Sequence, residues 1–206
     1  MAGLTLKVAN AANGGILDKE YTCDGKYVSP PVEWSGVPEG AKSLALIMWH
    51  TPPDYKEKGA KYYWIVYNIP PTVKSLLTDV GATVGKIGMN EHNFQGYEPP
   101  CSKSGGDKIY HFTIYALMEE PTIKVADNEV TRDVLLSAMK DITIACNTVS
   151  LHNVRTAEDL ARAEERRKAE GRPADPPGGH GPPPGGPRGP RPGGPPGPPP
   201  GAPPRH

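Results

Sequence analysis

The amino-acid sequence predicts a mainly β domain followed by a tail rich in proline and glycine. Three strand-like segments occur before residue 120, and the first clear helical pattern begins only after residue 130. Of the 26 Pro and 24 Gly in the 206 residues, 16 Pro and 10 Gly lie in residues 173–206. Removing that segment leaves 172 residues, a length that suits one domain.

The three predicted strands differ in how they are expected to be buried. Ser43–Trp49 is a short and almost continuously apolar run between proline-containing loops, which is typical of a strand buried on both faces. Tyr62–Tyr67 is rich in aromatic and β-branched residues and is followed by Pro70, which cannot donate a ladder hydrogen bond. In Tyr110–Leu117, Tyr110 and every second residue after it share one face of the strand.

Helical spacing appears next, beyond residue 130. Thr131 is a predicted N-cap, and four apolar residues follow it at the spacing of one helix face: Val134, Leu135, Ala138 and Met139. Apolar and polar residues alternate after Asp141, which favours a strand, although a continued helix stays open at this length.

Composition divides the chain into three parts. Residues 1–155 are the predicted domain, and residues 156–172 are a predicted charged helix with its apolar residues limited to Leu160 and several alanines. Residues 173–206 are predicted to be disordered. Glycine does not recur at every third position there, which excludes a collagen triple helix, and a spacer or an SH3-type proline-rich ligand remain the alternatives.

Charge and motif content exclude several classes of function. Lys and Arg number 23 and Asp and Glu also number 23, so the basic excess typical of a nucleic-acid-binding protein is absent. The sequence has no apolar run long enough for a transmembrane helix, no metal-ligand spacing and no G-x-S-x-G nucleophile motif. We therefore expect no catalytic residues, no metal and no cofactor.

The sequence does not determine whether its three cysteines are free thiols or form a disulfide. Cys23, Cys101 and Cys146 are widely separated and form no C-x-x-C pair. One disulfide with one free thiol is compatible with this number. Free thiols would favour the cytoplasm, whereas a disulfide at Cys23 would favour the periplasm or secretion after removal of a leader.

Seven short motifs in a fixed order give the sequence a family resemblance. They are YTCDG at 21–25, SPP at 29–31 with Trp34, PEGAKSLALI at 38–47, WIVYNIP at 64–70, GMN at 88–90, GY at 96–97 with PC at 100–101, and YHFTIYAL at 110–117. This order resembles the phosphatidylethanolamine-binding protein family, particularly its bacterial and archaeal branch, called Raf kinase inhibitor-like. The resemblance covers about residues 4–155 and implies an antiparallel β-sandwich with a few peripheral helices. It also implies a cavity for a small anion, such as phosphate or a phospholipid headgroup.

The residues that build this cavity in the family are largely replaced here. His50 stands at the position of the first Asp of the family's Asp-Pro-Asp-x-Pro loop, and Asp54 follows in the same loop. Tyr63 replaces a strand histidine. Lys108 replaces the histidine of the Gly-x-His-Arg-Tyr segment, while Tyr110 is retained. These five residues are the predicted ligand-binding residues.

Two interpretations of the altered cavity follow. Lys108 and Tyr110 project from the same strand face, so an ammonium group and a phenol could hold an anion together. Alternatively, the cavity is vestigial, and the protein acts as an interaction or inhibitor module through its loops, its charged helix or its proline-rich tail. In both interpretations the protein binds other molecules without catalysis.

Overall fold

Two antiparallel sheets form the body of the molecule in the computed structural model, which describes residues 3–52, 59–79 and 84–171. The smaller sheet contains β1 (Thr5–Val8), β2 (Val32–Ser35) and β5 (Ser75–Leu76), in the order β1-β2-β5. The larger sheet contains β3 (Ser43–His50), β4 (Lys61–Ile69), β6 (Lys86–Ile87), β7 (Gly106–Leu117) and β8 (Thr143–Arg155), in the order β6-β4-β3-β7-β8. The predicted mainly β, antiparallel fold is confirmed.

The central strand β3 is buried on both faces, as its sequence predicts. Leu44, Leu46 and Met48 lie on the inner face, in the core between the two sheets. Ala45 and Ile47 lie on the outer face, in a second core. Because both faces are covered, all but one of the residues of this strand are buried.

The outer core is covered by the first of the two α-helices in the described residues, α1 (Arg132–Met139). Thr131 is its N-cap, and the Val134 N–H donates to the Thr131 hydroxyl at 3.4 Å. Leu135 and Met139 are the buried residues of this helix. The strand predicted after Asp141 is confirmed as β8.

The second helix, α2 (Ala157–Ala169), follows β8 after a single residue and is mostly exposed. Its first turn is anchored to the domain, since the Asp159 carboxylate is buried and pairs with the Lys19 ammonium. Residues 173–206, the predicted disordered tail, lie outside the described residues. Within the described part of the chain, neither helix has the length and hydrophobicity needed to cross a bilayer.

A disulfide joins Cys23 to Cys101, and Cys146 is an exposed free thiol. Next to the disulfide, the Arg155 guanidinium donates to both carboxylate oxygens of Asp24, at 2.8 and 2.9 Å. Arg155 also donates to the Ser102 carbonyl at 2.7 Å. The disulfide and this buried ion pair therefore connect the loop at residues 22–25 to the loop before β7 and to the end of β8.

The outer edge of β8 is bonded to an N-terminal segment. The Gly14 N–H donates to the Ser150 carbonyl at 2.7 Å, and the Leu17 N–H donates to the His152 carbonyl at 2.9 Å. These bonds cover part of an edge that would otherwise present unpaired backbone groups.

Candidate ligand site

Three adjacent strands bring a buried polar cluster to one end of the inner face. Trp49 of β3 pairs with His111 of β7 and with Tyr62 of β4, so the ends of these strands lie side by side. Each strand carries a polar residue next to its paired residue: His50 follows Trp49, Tyr63 follows Tyr62 and Tyr110 precedes His111. The side chains of these three residues are buried, with exposures of 6%, 7% and 1%, respectively. Three of the five predicted ligand-binding residues therefore lie together; we call them the ring cluster.

Tyr63 reaches the inner face because β4 is irregular at this point. Met48 pairs with Trp64 and Trp49 pairs with Tyr62, so Tyr63 is an extra residue without its own partner on β3. Strict alternation would put Tyr63 and Trp64 on opposite faces, yet both contribute to the inner core. The bulge thus redirects the Tyr63 side chain towards the cluster.

The rings of the cluster pack on one another. The His50 ring is stacked on the Tyr110 ring with centroids 5.0 Å apart, and the Tyr63 ring meets the Tyr110 ring edge-on at 5.1 Å. His50 Nδ1 lies 2.7 Å from the Ile109 carbonyl oxygen. Since a carbonyl only accepts hydrogen bonds, Nδ1 carries the proton, and the other ring nitrogen is the acceptor in the neutral imidazole.

The two phenols of the cluster are connected by a hydrogen bond. Burial raises the pKa of Tyr63, and donation of its O–H to Tyr110 raises it further. Burial also raises the pKa of Tyr110 to about 12, although its oxygen accepts hydrogen bonds from Tyr63 and from the Cys101 N–H. Both phenols are therefore neutral at physiological pH.

The sequence did not single out Glu98, which lies beside this cluster. Its side chain is buried, with 6% exposure, and its N–H donates to the Tyr63 carbonyl at 2.8 Å. Carboxylate oxygen Oε1 lies 2.5 Å from His92 Nδ1, while Oε2 has no hydrogen-bond partner among the described residues. Burial raises the pKa of Glu98, and the nearby His92 opposes this increase. The sequence did contain a signal that Glu98 is close to the site, because this residue lies between the GY and PC motifs that carry the family resemblance.

The other two predicted site residues stand apart from the cluster. Lys108 is half-buried on β7, on the same face as Tyr110 and opposite Asn153 of β8. Among the described residues, no hydrogen bond or ion pair joins Lys108 to the ring cluster, so its convergence with Tyr110 on a ligand stays a prediction. Asp54 lies outside the described residues.

The arrangement offers hydrogen-bonding groups and a carboxylate, set among aromatic rings. No group of three or more His, Cys, Asp or Glu side chains within residues 3–52, 59–79 and 84–171 is arranged to hold a metal ion. Buried polar groups of this kind can fix the orientation of a ligand.

Two antiparallel sheets with a buried polar cluster at one end define a small β-sandwich domain. The chain belongs to the phosphatidylethanolamine-binding protein family, whose model matches residues 7–153. This match confirms the resemblance that the seven motifs indicate.

Relatives occur in bacteria and archaea. A UPF0098 protein of Chlamydia trachomatis is 39% identical over 136 residues, which cover 64% of this chain and 86% of the relative. A UPF0098 protein of Methanothermobacter thermautotrophicus is 35% identical over 143 residues, covering 66% of this chain and 89% of the relative.

Solved structures show the same fold. A phosphatidylethanolamine-binding protein homologue from Chlamydia trachomatis superposes with a TM-score of 0.67 at 32% identity, covering 75% of this chain and 99% of the homologue. YbcL of Escherichia coli, described as a member of the mammalian phosphatidylethanolamine-binding protein family, superposes with a TM-score of 0.66 at 26% identity. It covers 75% of this chain and 100% of YbcL.

Proposed function

We propose that the chain is a non-enzymatic binding protein that holds a small phosphate-bearing molecule at the ring cluster. The molecule is a free anion or a phospholipid headgroup. The observation that carries this proposal is the convergence of His50, Tyr63 and Tyr110, from three different strands, at one buried end of the sandwich. Polar side chains held by packing in an apolar setting are typical of a ligand site.

A phosphate could use two kinds of donor here. The Tyr110 O–H could donate to a phosphate oxygen, and hydrogen bonds to a charged acceptor are the stronger ones. The His50 ring could donate as well only in its doubly protonated form, because Nδ1 already donates to the Ile109 carbonyl. The Lys108 ammonium, two residues before Tyr110 on the same strand face, would add a positive charge. The site would thus retain affinity for an anion, although Lys108 replaces the histidine that the family has at this point of the strand.

A second candidate is an interaction module whose ligand site is vestigial. The observation that favours it is the hydrogen bonding within the cluster, since Tyr63 donates to Tyr110 and Tyr110 also accepts from the Cys101 N–H. Groups that are satisfied in this way need no ligand. A protein partner would then use the loops, α2 or residues 173–206.

A thermal-shift titration of the full chain with inorganic phosphate and phosphoethanolamine tests the first candidate. Binding to the folded state stabilises it by about 2.7 kcal/mol when the ligand is at 100 times Kd, so the melting temperature should rise. We expect Lys108→Ala to weaken this response. The matched control is Lys124→Ala, which removes an exposed lysine between β7 and α1 and should leave the response unchanged.

One result would count against the first candidate, and a second would count against the role of Lys108 in it. If neither probe raised the melting temperature, the site would be vestigial, and the second candidate would stand. If both lysine variants responded like the wild type, binding would not depend on the Lys108 charge.

A further inference from the structure

The inner face of β7 and β8 continues past the ring cluster towards the end of the sandwich. Tyr110 and Leu151 are paired across the two strands and lie in the inner core. Lys108 and Asn153 form the next pair on the same face, since side chains alternate along a strand. Side chains in such a pair start about 5 Å apart, and diagonal neighbours such as Asn153 and Tyr110 start about 7–8 Å apart. One small molecule could therefore contact Lys108, Tyr110 and Asn153 together.

Asn153 contributes a buried hydrogen-bond donor to this face. The residue is exposed by only 3%, and its Nδ2 has no hydrogen-bond partner among the described residues. This amide nitrogen carries two protons and can only donate. A buried donor without an acceptor opposes folding, and native proteins retain few such groups. An acceptor supplied by a ligand would remove this cost.

Two acids near this pair are already engaged. Asp107 precedes Lys108 but lies on the opposite face, where its carboxylate is 2.8 Å from His152 Nδ1. The Asp24 carboxylate accepts two hydrogen bonds from Arg155, the next inner-face residue of β8. Within the described part of the chain, no ion pair or hydrogen bond joins Lys108 to an acid. This face therefore presents a positive charge and a buried donor to a ligand.

The rest of the ring cluster offers few donors to an anion. His50 donates from Nδ1 to the Ile109 carbonyl, and the Tyr63 hydroxyl donates to Tyr110. The Tyr110 oxygen accepts that hydrogen bond, which leaves its own O–H for a ligand. The donors that an anion could use therefore lie on β7 and β8.

The Glu98 charge favours the same side of the site. A carboxylate repels an anion, and the Glu98 backbone is bonded to β4 through the Tyr63 carbonyl. In the larger sheet, β8 is three strands away from β4, which is about 14 Å at the usual strand spacing. Repulsion is thus weaker on the β8 side, where Asn153 lies, than on the β4 side.

We propose that Asn153 is a ligand-binding residue whose Nδ2 donates to an anion held between β7 and β8, together with Lys108 and Tyr110. This inference rests on the proposed function and specifies where in the site the anion lies. Asn153 lies outside the seven motifs that carry the family resemblance, so the sequence did not single it out.

Isothermal titration of the full chain at pH 7 tests the inference. Inorganic phosphate represents a free anion, and dihexanoylphosphatidylglycerol, a soluble short-chain lipid, represents a headgroup. Asn153→Leu removes the donor at similar volume, and we expect the Kd of the bound probe to rise about tenfold. Asn153→Asp retains the shape but replaces the donor by a negative charge, so binding should be lost.

The matched controls are Asn147→Leu and Asn147→Asp. Asn147 is half-buried on the same face of β8, and it precedes Asn153 by about 20 Å along the strand. Both control variants should leave Kd unchanged. Thermal unfolding without ligand checks that each variant is folded, and Asn153→Leu should melt no lower than the wild type, since it removes an unsatisfied donor.

The possible results separate the two proposals. If a probe bound the wild type and Asn153→Leu with equal affinity, the inference would be overturned and the proposed function would stand. The same conclusion would follow if Asn147→Leu weakened binding as much as Asn153→Leu. If neither probe bound to the wild type, both proposals would be overturned. If only the lipid bound, and Asn153→Leu weakened its binding, the inference would hold with a headgroup as the ligand.

Discussion

At the scale of single residues, Glu98 and Tyr63 show how the site departs from a simple core. Glu98 is a buried acid with one oxygen unpartnered among the described residues, and Tyr63 is a bulge residue directed inwards. The Glu98 arrangement is not the most stable choice for a sandwich interior, since burial of an unsatisfied polar atom opposes folding. Such local costs are typical of positions retained for binding.

Replacing Glu98 by Gln should stabilise the protein at neutral pH. The pKa of Glu98 is raised in the folded state by burial, so the folded protein binds this proton more tightly than the unfolded chain does. The wild type therefore loses stability as pH rises through the folded-state pKa, whereas Gln does not ionise. We expect a gain of about 1–3 kcal/mol at pH 7.5 that disappears towards pH 4.

Urea denaturation of the wild type and of Glu98→Gln at pH 4 and pH 7.5 measures this difference. A variant that was less stable than the wild type at pH 7.5 would mean that the His92 contact outweighs the burial of the carboxylate.

At the scale of strands and helices, the predictions from sequence were correct for elements that have one apolar face. Alternation in β7 correctly predicts that Tyr110 and every second residue after it share one face, and the structure places that face in the inner core. The spacing after Thr131 correctly predicts α1. The direction of Tyr63 could not be predicted, because the bulge depends on which residues of β3 pair with β4. The burial of Glu98 could not be predicted either, since it depends on tertiary packing of a loop without periodicity.

The anchoring of α2 also depends on contacts that its composition does not reveal. Thr156 and Asp159 form a reciprocal capping box, and Asp159 additionally pairs with Lys19. The hydrogen bonds from Lys19 and Thr156 hold the pKa of Asp159 well below its usual range. A helix with an exposed and highly charged surface is thus fixed to the domain through its first turn.

We expect Thr156→Ala to loosen α2 while the sheets remain intact. Loss of the cap hydroxyl costs about 0.5–2 kcal/mol of helix stability. Hydrogen exchange followed by mass spectrometry should show faster exchange in residues 157–169 and unchanged exchange in β3. Thr156→Ser retains the hydroxyl and serves as the control; equal exchange in the Ala variant and the wild type would contradict a role for the cap.

At the scale of the whole molecule, the Cys23–Cys101 disulfide connects the site to the loops around it. Cys101 also provides the N–H that donates to the Tyr110 oxygen. The nearby ion pair between Asp24 and Arg155 is buried, and the Arg155 guanidinium also donates to the Ser102 carbonyl. The position of the Tyr110 hydroxyl is therefore supported by a covalent bond as well as by packing.

Reducing this disulfide should lower the free energy of unfolding by about 2–5 kcal/mol, because a bond between residues 78 positions apart restricts the unfolded chain. Urea denaturation with and without dithiothreitol measures the change. Cys146→Ser is the control and should have no effect, since Cys146 is a free, exposed thiol. Superimposable curves for the oxidised and reduced protein would contradict the stabilising role.

The bonds between the two ends of the domain also determine when the domain can complete its folding. Asn13 accepts a hydrogen bond from the Ser150 N–H, 137 positions away, and Asp24 binds Arg155 across 131 positions. Contacts between such distant residues form slowly, because the intervening chain must first be closed into a loop. During synthesis, the segment at residues 13–24 must therefore wait for β8, and the site end of the sandwich is completed only after Arg155 has been added.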